Sequence, residues 1–463
     1  MCMPAFPFEV CGSVEEARSL MHEALDRWFD QVVPLFENGK APTIIDLSRH
    51  FSETRGALMG SVMQAMVEKA YHHHIHQEQA ICPECARILK RKRFDRKAVS
   101  TLHGEFNLDR PYFYCQICKV GFHPLDDVLA MAPERHQYDV QEKAVKSASK
   151  LPFEESADQF SSLTGVGVGD HFLHDTLNAV GDVATLELVI PDRKEIERRI
   201  DEVSRSIGTP PILAVGADGA HMPTRAKAKR NEKRGQGSWK EAKGFRLYLV
   251  GEKGRIVQIA SWHQIQDAEA FKKDLSLVAE RIPQDRVRVA LLADGAEWLW
   301  PAMTECFPTG RPILDFYHCA EHVHEVGNSL FGKGELKARQ WSEAILSLLS
   351  YSEMDDVLAI LRGMRPETEE TGEKVRNLAG YLEKNRDRIH YETDRDDGYP
   401  IGSGGIESSH KYVCHTRMKR SGAWWVIASG NNMLRIRCAI VNGTYERVFE
   451  HYATHPRRSD EEC

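Results

Sequence analysis

Hydrophobic residues recur every three or four positions in two stretches near the start of the chain. The first stretch is SVEEARSLMHEALDRWFDQVVPLF, from Ser13, and the second runs from about Leu47 to Ala70. This period predicts two amphipathic helices, and Ser13 with Glu16 matches a capping box at the start of the first. We therefore expect residues 1–78 to form a helical region that serves packing or dimerisation.

A second helical pattern begins at about Glu142. The segment FEESADQFSSLTGVGVGDHFLHDTLNAVG combines an apolar helix, a glycine turn and a second helix from about Asp170. This order predicts a helix-turn-helix in residues 131–205, with the second helix as the groove reader. Two helices around a glycine turn also occur in any helical protein, and Asp175 and Glu187 weaken an electrostatic case for DNA. Both interpretations stay open.

Continuous apolar runs replace the helical period from Pro210 onward. The runs PPILAVGADG, FRLYLVG, GRIVQIASWHQI, VRVALLADG and RPILDFYH are typical of strands, and DAEAFKKDLSLVAERI is typical of a helix between them. This order predicts a multidomain α/β protein with a mixed sheet in residues 206–325 and 398–463. Residues 326–397 return to a helical period, which predicts an all-helical insertion.

Composition narrows the class of protein. The 463 residues favour two to four domains, and the hydrophobic content of 42% supports sizeable cores. We find no apolar run long enough for a bilayer and no secretory signal, so we expect a cytoplasmic protein without membrane partners. The net charge of −7 excludes a uniformly basic nucleic-acid binder. Basic clusters that begin at Arg87, Arg225 and His410 keep local DNA contacts open.

Two Cys-x-x-Cys pairs, in ICPEC and PYFYCQIC, point to a metal site. Each pair aims two thiolates at one ion, and two pairs complete a tetrahedral zinc site. The long spacer contains a predicted β-hairpin, so we expect a zinc ribbon in residues 79–130. The alternative is four free thiols. The predicted zinc ligands are Cys82, Cys85, Cys115 and Cys118.

Two apolar strands end in the same triplet, Ala-Asp-Gly, which places Asp218 and Asp294 at strand ends. Ligands bind outside the carboxyl ends of strands in open α/β sheets. Neighbouring carboxylates there repel each other unless a cation lies between them, and hard oxygen ligands suit Mg²⁺ or Mn²⁺. Glu407, among glycines and followed by a basic run, would complete a site for two metal ions. The alternative is that each aspartate is an ordinary turn residue.

The chain resembles bacterial DDE transposases of the ISKra insertion-sequence group, which are related to mutator-like families. The resemblance rests on GADGAHMPTR, LLADGAEW, ILDFYHCAEH and GSGGIESSHKYVCHTRMKRSGAWW, together with the cysteine pairs and SADQFSSLTG. It implies an RNase H-like core in which Asp218, Asp294 and Glu407 bind the catalytic metal ions.

Related families also carry an Asp/Cys-x-x-His element after the second acid, and DFYH, from Asp315 to His318, matches it. By this resemblance His318 contacts the scissile phosphate or orients a metal ligand, and Asp315 supports it. The alternative for both residues is a structural hydrogen bond at a strand end.

The basic run after Glu407 suits phosphate binding, because arginine can contact phosphate oxygens in bidentate fashion. A tryptophan there can stack on an unpaired base, although core packing is the alternative for the Trp pair. The predicted DNA-binding residues are Lys411, Arg417, Lys419, Arg420 and Trp424.

These features predict a transposase that binds the terminal repeats of an insertion sequence, cleaves DNA with two metal ions and joins 3′ ends to target DNA. We expect double-stranded transposon ends and target DNA as partners, a homo-oligomer on DNA, and association with the bacterial nucleoid. The alternatives are a non-catalytic zinc-ribbon and helix-turn-helix DNA-binding protein, or an RNase H-like nuclease without strand transfer.

Overall fold

The computed structural model describes residues 14–37, 41–227, 236–296 and 298–455. It divides into two units, one formed by Met1–Leu177 with His451–Cys463 and the other by Asn178–Glu450. The predicted cap at Ser13 and part of the basic cluster from Arg225 lie outside the described residues. None of the described helices is long and apolar enough to cross a membrane.

An antiparallel helix pair begins the first unit. Glu16 near the start of the first long helix meets Lys69 near the end of the second, with 3.2 Å between their charged atoms. The second long helix begins earlier than predicted because Thr43 and Asp46 form a capping box. The helices of this region are α1 Val14–Val32, α2 Pro34–Glu37, α3 Ile44–Ala70 and α4 His72–His76.

A small antiparallel β module follows α4. Its strands are β1 Gln79–Ile81, β2 Ile88–Lys90, β3 Arg93–Thr101, β4 Gly104–Cys115 and β5 Val120–Phe122. β1 pairs with β2, whereas β3, β4 and β5 form a three-stranded sheet. α3 packs on β4 with the backbones in close contact, because a Cβ atom on Gly60 would lie 2.2 Å from the Glu105 carbonyl oxygen.

Helices complete the first unit and lead into the second. They are α5 Pro124–Val128, α6 Tyr138–Ala148, α7 Phe153–Thr164, α8 Asp170–Val183, α9 Leu186–Val189 and α10 Arg193–Ile207. α7 ends at Gly165, whose φ of +78° is the left-handed conformation that glycine adopts without strain. α8 begins at Asp170, as predicted. The helix pair and its turn are therefore present, and its role in reading DNA stays a prediction.

A five-stranded mixed sheet forms the centre of the second unit, as the sequence predicts. Its strands are β6 Ile212–Thr224, β7 Ser238–Val250, β8 Ile256–Ile265, β9 Arg288–Ala293 and β10 Arg311–Leu314. The strand order is β10-β9-β6-β7-β8. β7 is antiparallel to both β6 and β8, whereas β9 and β10 run parallel to β6.

The position of Asp218 corrects one expectation. Asp218 does not end its strand, because β6 continues to Thr224 while paired with the start of β7. The parallel partner β9 does end at Ala293, directly before Asp294. β6 and β7 thus extend beyond the rest of the sheet as a two-stranded arm.

Helices surround this sheet and form the segment between β10 and the C-terminal region. α11 Ala268–Ala279 and α12 Leu299–Cys306 precede β10, and α13 Phe316–Phe331 begins directly after it. The predicted insertion from residue 326 therefore begins inside a helix. The remaining helices are α14 Leu336–Ser350, α15 Met354–Gly363, α16 Glu369–Lys384, α17 Tyr391–Asp396, α18 Gly404–Ser409, α19 Thr416–Met418, α20 Ile427–Asn442 and α21 Tyr445–Thr454.

The contact between α3 and β4 predicts a large effect of a small substitution. Gly60→Ala should destabilise the chain by about 1–3 kcal/mol, because the new methyl group must displace backbone atoms of β4. Gly56→Ala in the same helix is the control: its Cβ meets nothing within 4 Å, and alanine should stabilise the helix by about 0.5–1 kcal/mol. Urea denaturation measures both effects, and equal responses would contradict the packing.

Candidate functional site

Three aspartates lie at one edge of the mixed sheet because of its strand register. Gly216 on β6 pairs with Leu292 on β9, so Asp218 and Asp294 stand at matching positions two residues further along. Leu314 on β10 pairs with Ala293, so Asp315 stands beside Asp294. The register therefore places three carboxylates along one edge of the sheet, one on β6 and two directly after β9 and β10.

The carboxylates of Asp218 and Asp294 are held by nearby donors. The backbone N–H of Gly219 donates to Asp218 Oδ1 at 2.6 Å, and His410 Nδ1 lies 3.2 Å from Asp218 Oδ2. The backbone N–H of Ala296 donates to Asp294 Oδ1 at 3.0 Å. Both aspartates are partly exposed, so each has oxygen lone pairs open to a ligand.

Glu407 reaches the sheet because α18 docks on β6 and β7. A Cβ atom on Gly216 would lie 3.0 Å from the Cβ of Ile406. A Cβ atom on Gly405 would lie 2.2 Å from the Tyr248 ring. Arg246 also donates to the Gly405 carbonyl oxygen at 2.7 Å. The two glycines thus permit the close approach that places Glu407, which is exposed, in the first turn of the docked helix.

Ser403 links Asp315 to Glu407. Its hydroxyl group donates to Asp315 Oδ2 and lies 3.0 Å from Glu407 Oε1. The other oxygen of Asp315 caps α13 by accepting from the backbone N–H groups of Tyr317 and His318. Asp315 is buried, and these contacts match the structural alternative for this residue.

His318 faces a row of rings that leads to Asp294. Its ring centroid lies 4.8 Å from that of His322, which lies 4.8 Å from the ring of Tyr381. The Tyr381 hydroxyl donates to the Asp294 carbonyl oxygen at 2.9 Å. Burial, followed by repulsion from His318, lowers the pKa of His322. His322 therefore packs as a neutral ring, whereas His318 stays one-third exposed.

The structure does not gather the three predicted metal-binding acids into one tight cluster. Within the part of the chain that it describes, a single group of three or more Cys, His, Asp or Glu residues has all its ligand atoms within 4.8 Å of one another. That group consists of the four cysteines. Joint metal binding by Asp218, Asp294 and Glu407 stays a prediction.

The basic run after Glu407 divides between surface and interior. Lys411, Lys419 and Arg420 are exposed. Arg417 is only 3% exposed, and its guanidinium group lies 5.0 Å from the centre of the Trp425 ring. This burial does not fit the predicted phosphate contact of Arg417, which instead packs inside the fold.

The tryptophan pair also divides. Trp425 is buried and donates from Nε1 to the Met418 carbonyl oxygen at 3.1 Å. Its backbone N–H donates a hydrogen bond to the carbonyl oxygen of Pro223, on the β6 strand of the arm, at 3.0 Å. Trp424 is 38% exposed and lies 6.4 Å from the ring of Trp239 on the arm. Core packing thus describes Trp425, whereas Trp424 offers an exposed ring face.

The four cysteines form the metal-ready cluster of the β module. All four sulfur atoms lie within 4.8 Å of one another. Each Cys-x-x-Cys turn is followed by a residue with left-handed backbone, Ala86 at φ +57° and Lys119 at φ +56°. The backbone N–H of Cys118 lowers the pKa of the Cys115 thiol to about 7, so this thiol ionises readily to a ligand. Thiolates in this geometry suit Zn²⁺.

Comparison with known proteins places the chain in a family. The model of an uncharacterised protein family, UPF0236, matches residues 62–453. The chain belongs to this family. None of the curated proteins matches it. Among solved structures, a "Drosophila P element transposase strand transfer complex" aligns with 10% sequence identity and a TM-score of 0.25, covering 68% of this chain and 80% of that chain.

Sequence reasoning missed two residues of this UPF0236 protein that contact the site. His410 and Ser403 were part of the quoted motif, but nothing in their spacing assigns them to Asp218 or Asp315. A helical repeat could have indicated the burial of Arg417, since Val413, Cys414, Arg417 and Met418 fall on one buried face.

The cysteine cluster predicts one bound zinc ion per chain. Cys85→Ser should lower the zinc content well below one ion and loosen β1 and β2, because Ile81 and Ile88 are exposed and give these strands little core of their own. Metal analysis by mass spectrometry and amide hydrogen exchange measure these effects. Cys306→Ser, outside the cluster, should keep its zinc. Full zinc occupancy in Cys85→Ser would contradict the assignment.

Proposed function

We propose that this protein is a DDE transposase with an RNase H-like core. The observation that carries the proposal is the strand register that puts Asp218 and Asp294 at one edge of the sheet, together with the docking of the helix of Glu407 on β6 and β7. The strand order, with three antiparallel strands followed by two parallel ones, is the arrangement expected for such a core. The motif resemblance supports the same conclusion independently of the geometry.

The residues of the site fit divalent metal ions of the Mg²⁺ class. Their available ligand atoms are carboxylate oxygens, which such ions prefer. Bound ions would activate a water molecule or a 3′-hydroxyl group and stabilise the leaving oxygen. In this proposal Asp218, Asp294 and Glu407 hold the ions. His318 faces the DNA from the start of α13, and Asp315 fixes that helix through its cap.

The exposed part of the basic run would hold the DNA strand near the acids. Lys411, Lys419 and Arg420 contact phosphates in this proposal, and the exposed face of Trp424 stacks on an unpaired base. Arg417 supports this segment from inside by packing on Trp425. We further propose that α7 and α8 act as a helix-turn-helix on the terminal repeats and that the protein associates with nucleoid DNA.

Substitution of one acid tests the catalytic proposal. With Mg²⁺ and duplex DNA from both flanks of its own gene, the wild type should release labelled terminal fragments. Asp294→Asn should reduce this cleavage on the order of 10³-fold, because metal ions supply several kcal/mol of transition-state stabilisation. Asp285→Asn, an exposed residue in a turn before β9, is the charge-matched control.

The same reaction separates the alternatives. A transposase joins the labelled 3′ ends to an added plasmid, whereas a nuclease cuts without joining. A wild type that binds the DNA but never cuts it, with Asp294→Asn behaving identically, would contradict the catalytic proposal and favour a DNA-binding protein.

We also propose that the N-terminal helices form a homo-oligomer. Large apolar side chains are 41–81% exposed at helical spacing along α1 and α3. At about 100 Å² each, the seven expose on the order of 700 Å², close to the roughly 800 Å² per partner of a standard interface. A second copy would bury both rows in a four-helix bundle. The residues are Met21, Leu25, Phe29, Ile44, Phe51, Met59 and Met66.

Two negatively charged side chains in this apolar row should dissociate the oligomer. The double variant Leu25→Glu with Phe29→Glu should shift the mass in solution from an oligomer to a monomer, because the bundle would bury unpaired carboxylates. Light scattering after size-exclusion chromatography measures the mass. Arg27→Glu, on the opposite side of α1, should keep the wild-type mass. A monomeric wild type would contradict the proposal.

A further inference from the structure

A buried histidine lies directly behind one of the proposed metal-binding acids. His410 is 4% exposed and begins a π-helical turn, His410–His415, that follows α18. Its Nδ1 lies 3.2 Å from Asp218 Oδ2. A carboxylate can only accept a hydrogen bond, so any hydrogen bond between these two atoms is donated by Nδ1. The turn that follows the docked helix of Glu407 thus places an imidazole ring beside Asp218.

A second histidine packs against the first. His263 on β8 is fully buried, and its ring centroid lies 5.1 Å from that of His410, with the rings at 75° to each other. Burial lowers the pKa of His263 well below its ordinary value, and repulsion from His410 adds to this effect. His263 therefore serves as a neutral ring that restricts the orientation of His410.

The strand register creates the space for this pair. Asp218 on β6 pairs with Gly244 on β7, and Gly244 pairs with His263 on β8, so the three residues form one row across the sheet. A Cβ on Gly244 would lie 2.1 Å from Cδ2 and 2.6 Å from Nε2 of His263. The His263 ring therefore lies over Gly244, on the side toward Asp218. Any larger residue at position 244 would displace it.

We infer that His410 is a positioning residue that fixes the carboxylate of Asp218 for divalent metal binding, and that His263 and Gly244 hold His410 in place. The inference rests on the proposed function, because it assigns Asp218 to the metal site. Hydrogen-bonded partners of metal ligands orient the ligands, and their loss weakens metal affinity by about 10–100-fold. His410 occupies this place for Asp218, and it contacts no proposed substrate group.

Binding of Mn²⁺ alone tests the inference without relying on DNA cleavage. The full zinc-loaded chain is titrated with Mn²⁺, and the free ion is followed by electron paramagnetic resonance. His410→Ala should raise the Kd for Mn²⁺ about 10–100-fold. His410→Asn should restore most of the affinity, because its amide N–H can replace the Nδ1 donor. Rescue by a donor of this size distinguishes positioning from simple packing.

Matched variants separate the possible failures. His221→Ala, an exposed histidine on β6, should bind Mn²⁺ like the wild type. Unchanged affinity in His410→Ala, or loss in His410→Asn equal to that in His410→Ala, would overturn the inference while the wild type still binds through Asp294. A wild type whose Mn²⁺ binding is the same as that of Asp294→Asn would instead overturn the proposed metal site, and the inference with it.

Discussion

The docking of α18 on the mixed sheet is the contact on which the candidate site depends. Strand register alone places Asp218 and Asp294 together, but Glu407 comes from a helix that follows the whole helical segment. Because Gly216 and Gly405 have no side chains, this helix can approach the sheet closely. Arg246 also donates a hydrogen bond to the Gly405 carbonyl oxygen of the helix. A side chain at either glycine would move α18, and Glu407 with it, away from the sheet without replacing any acid.

Carboxylates at one sheet edge oppose folding unless donors or cations offset their repulsion. The fold supplies donors to both aspartates: Gly219 N–H, with the His410 ring nearby, for Asp218, and Ala296 N–H for Asp294. The Ser403 hydroxyl, which donates to Asp315, lies 3.0 Å from Glu407. These donors leave part of each carboxylate exposed. The arrangement therefore resembles a binding site, which needs open oxygen atoms, more than a structural ion-pair network, which would satisfy them with arginine or lysine.

The sequence predicts those parts of the fold in which one local pattern dominates. The apolar runs specify the mixed sheet, the spacing of the cysteines specifies their cluster, and the glycine turn before Asp170 specifies α7 and α8. The predicted end of β6, at Asp218, was wrong because the continuous apolar run stops there. Beyond it, buried Ala220 and Met222 alternate with exposed His221, a strand pattern that the Asp-Gly turn signal masks. The contacts of His410 and Ser403 arise from tertiary docking, which no local pattern encodes.

The two-stranded arm of β6 and β7 explains which residues of the basic segment after Glu407 are buried. Trp425 pairs with the arm through its backbone, and Arg225 N–H donates to the Trp425 carbonyl oxygen at 2.9 Å. This pairing fixes the ring of Trp425 inside the fold, and Arg417 then lies over that ring. Since the arm holds the segment from beneath, its neighbours Lys419, Arg420 and Trp424 remain at the surface. The burial of Arg417 thus accompanies the exposure of the neighbouring cations, which the proposed function assigns to DNA phosphates.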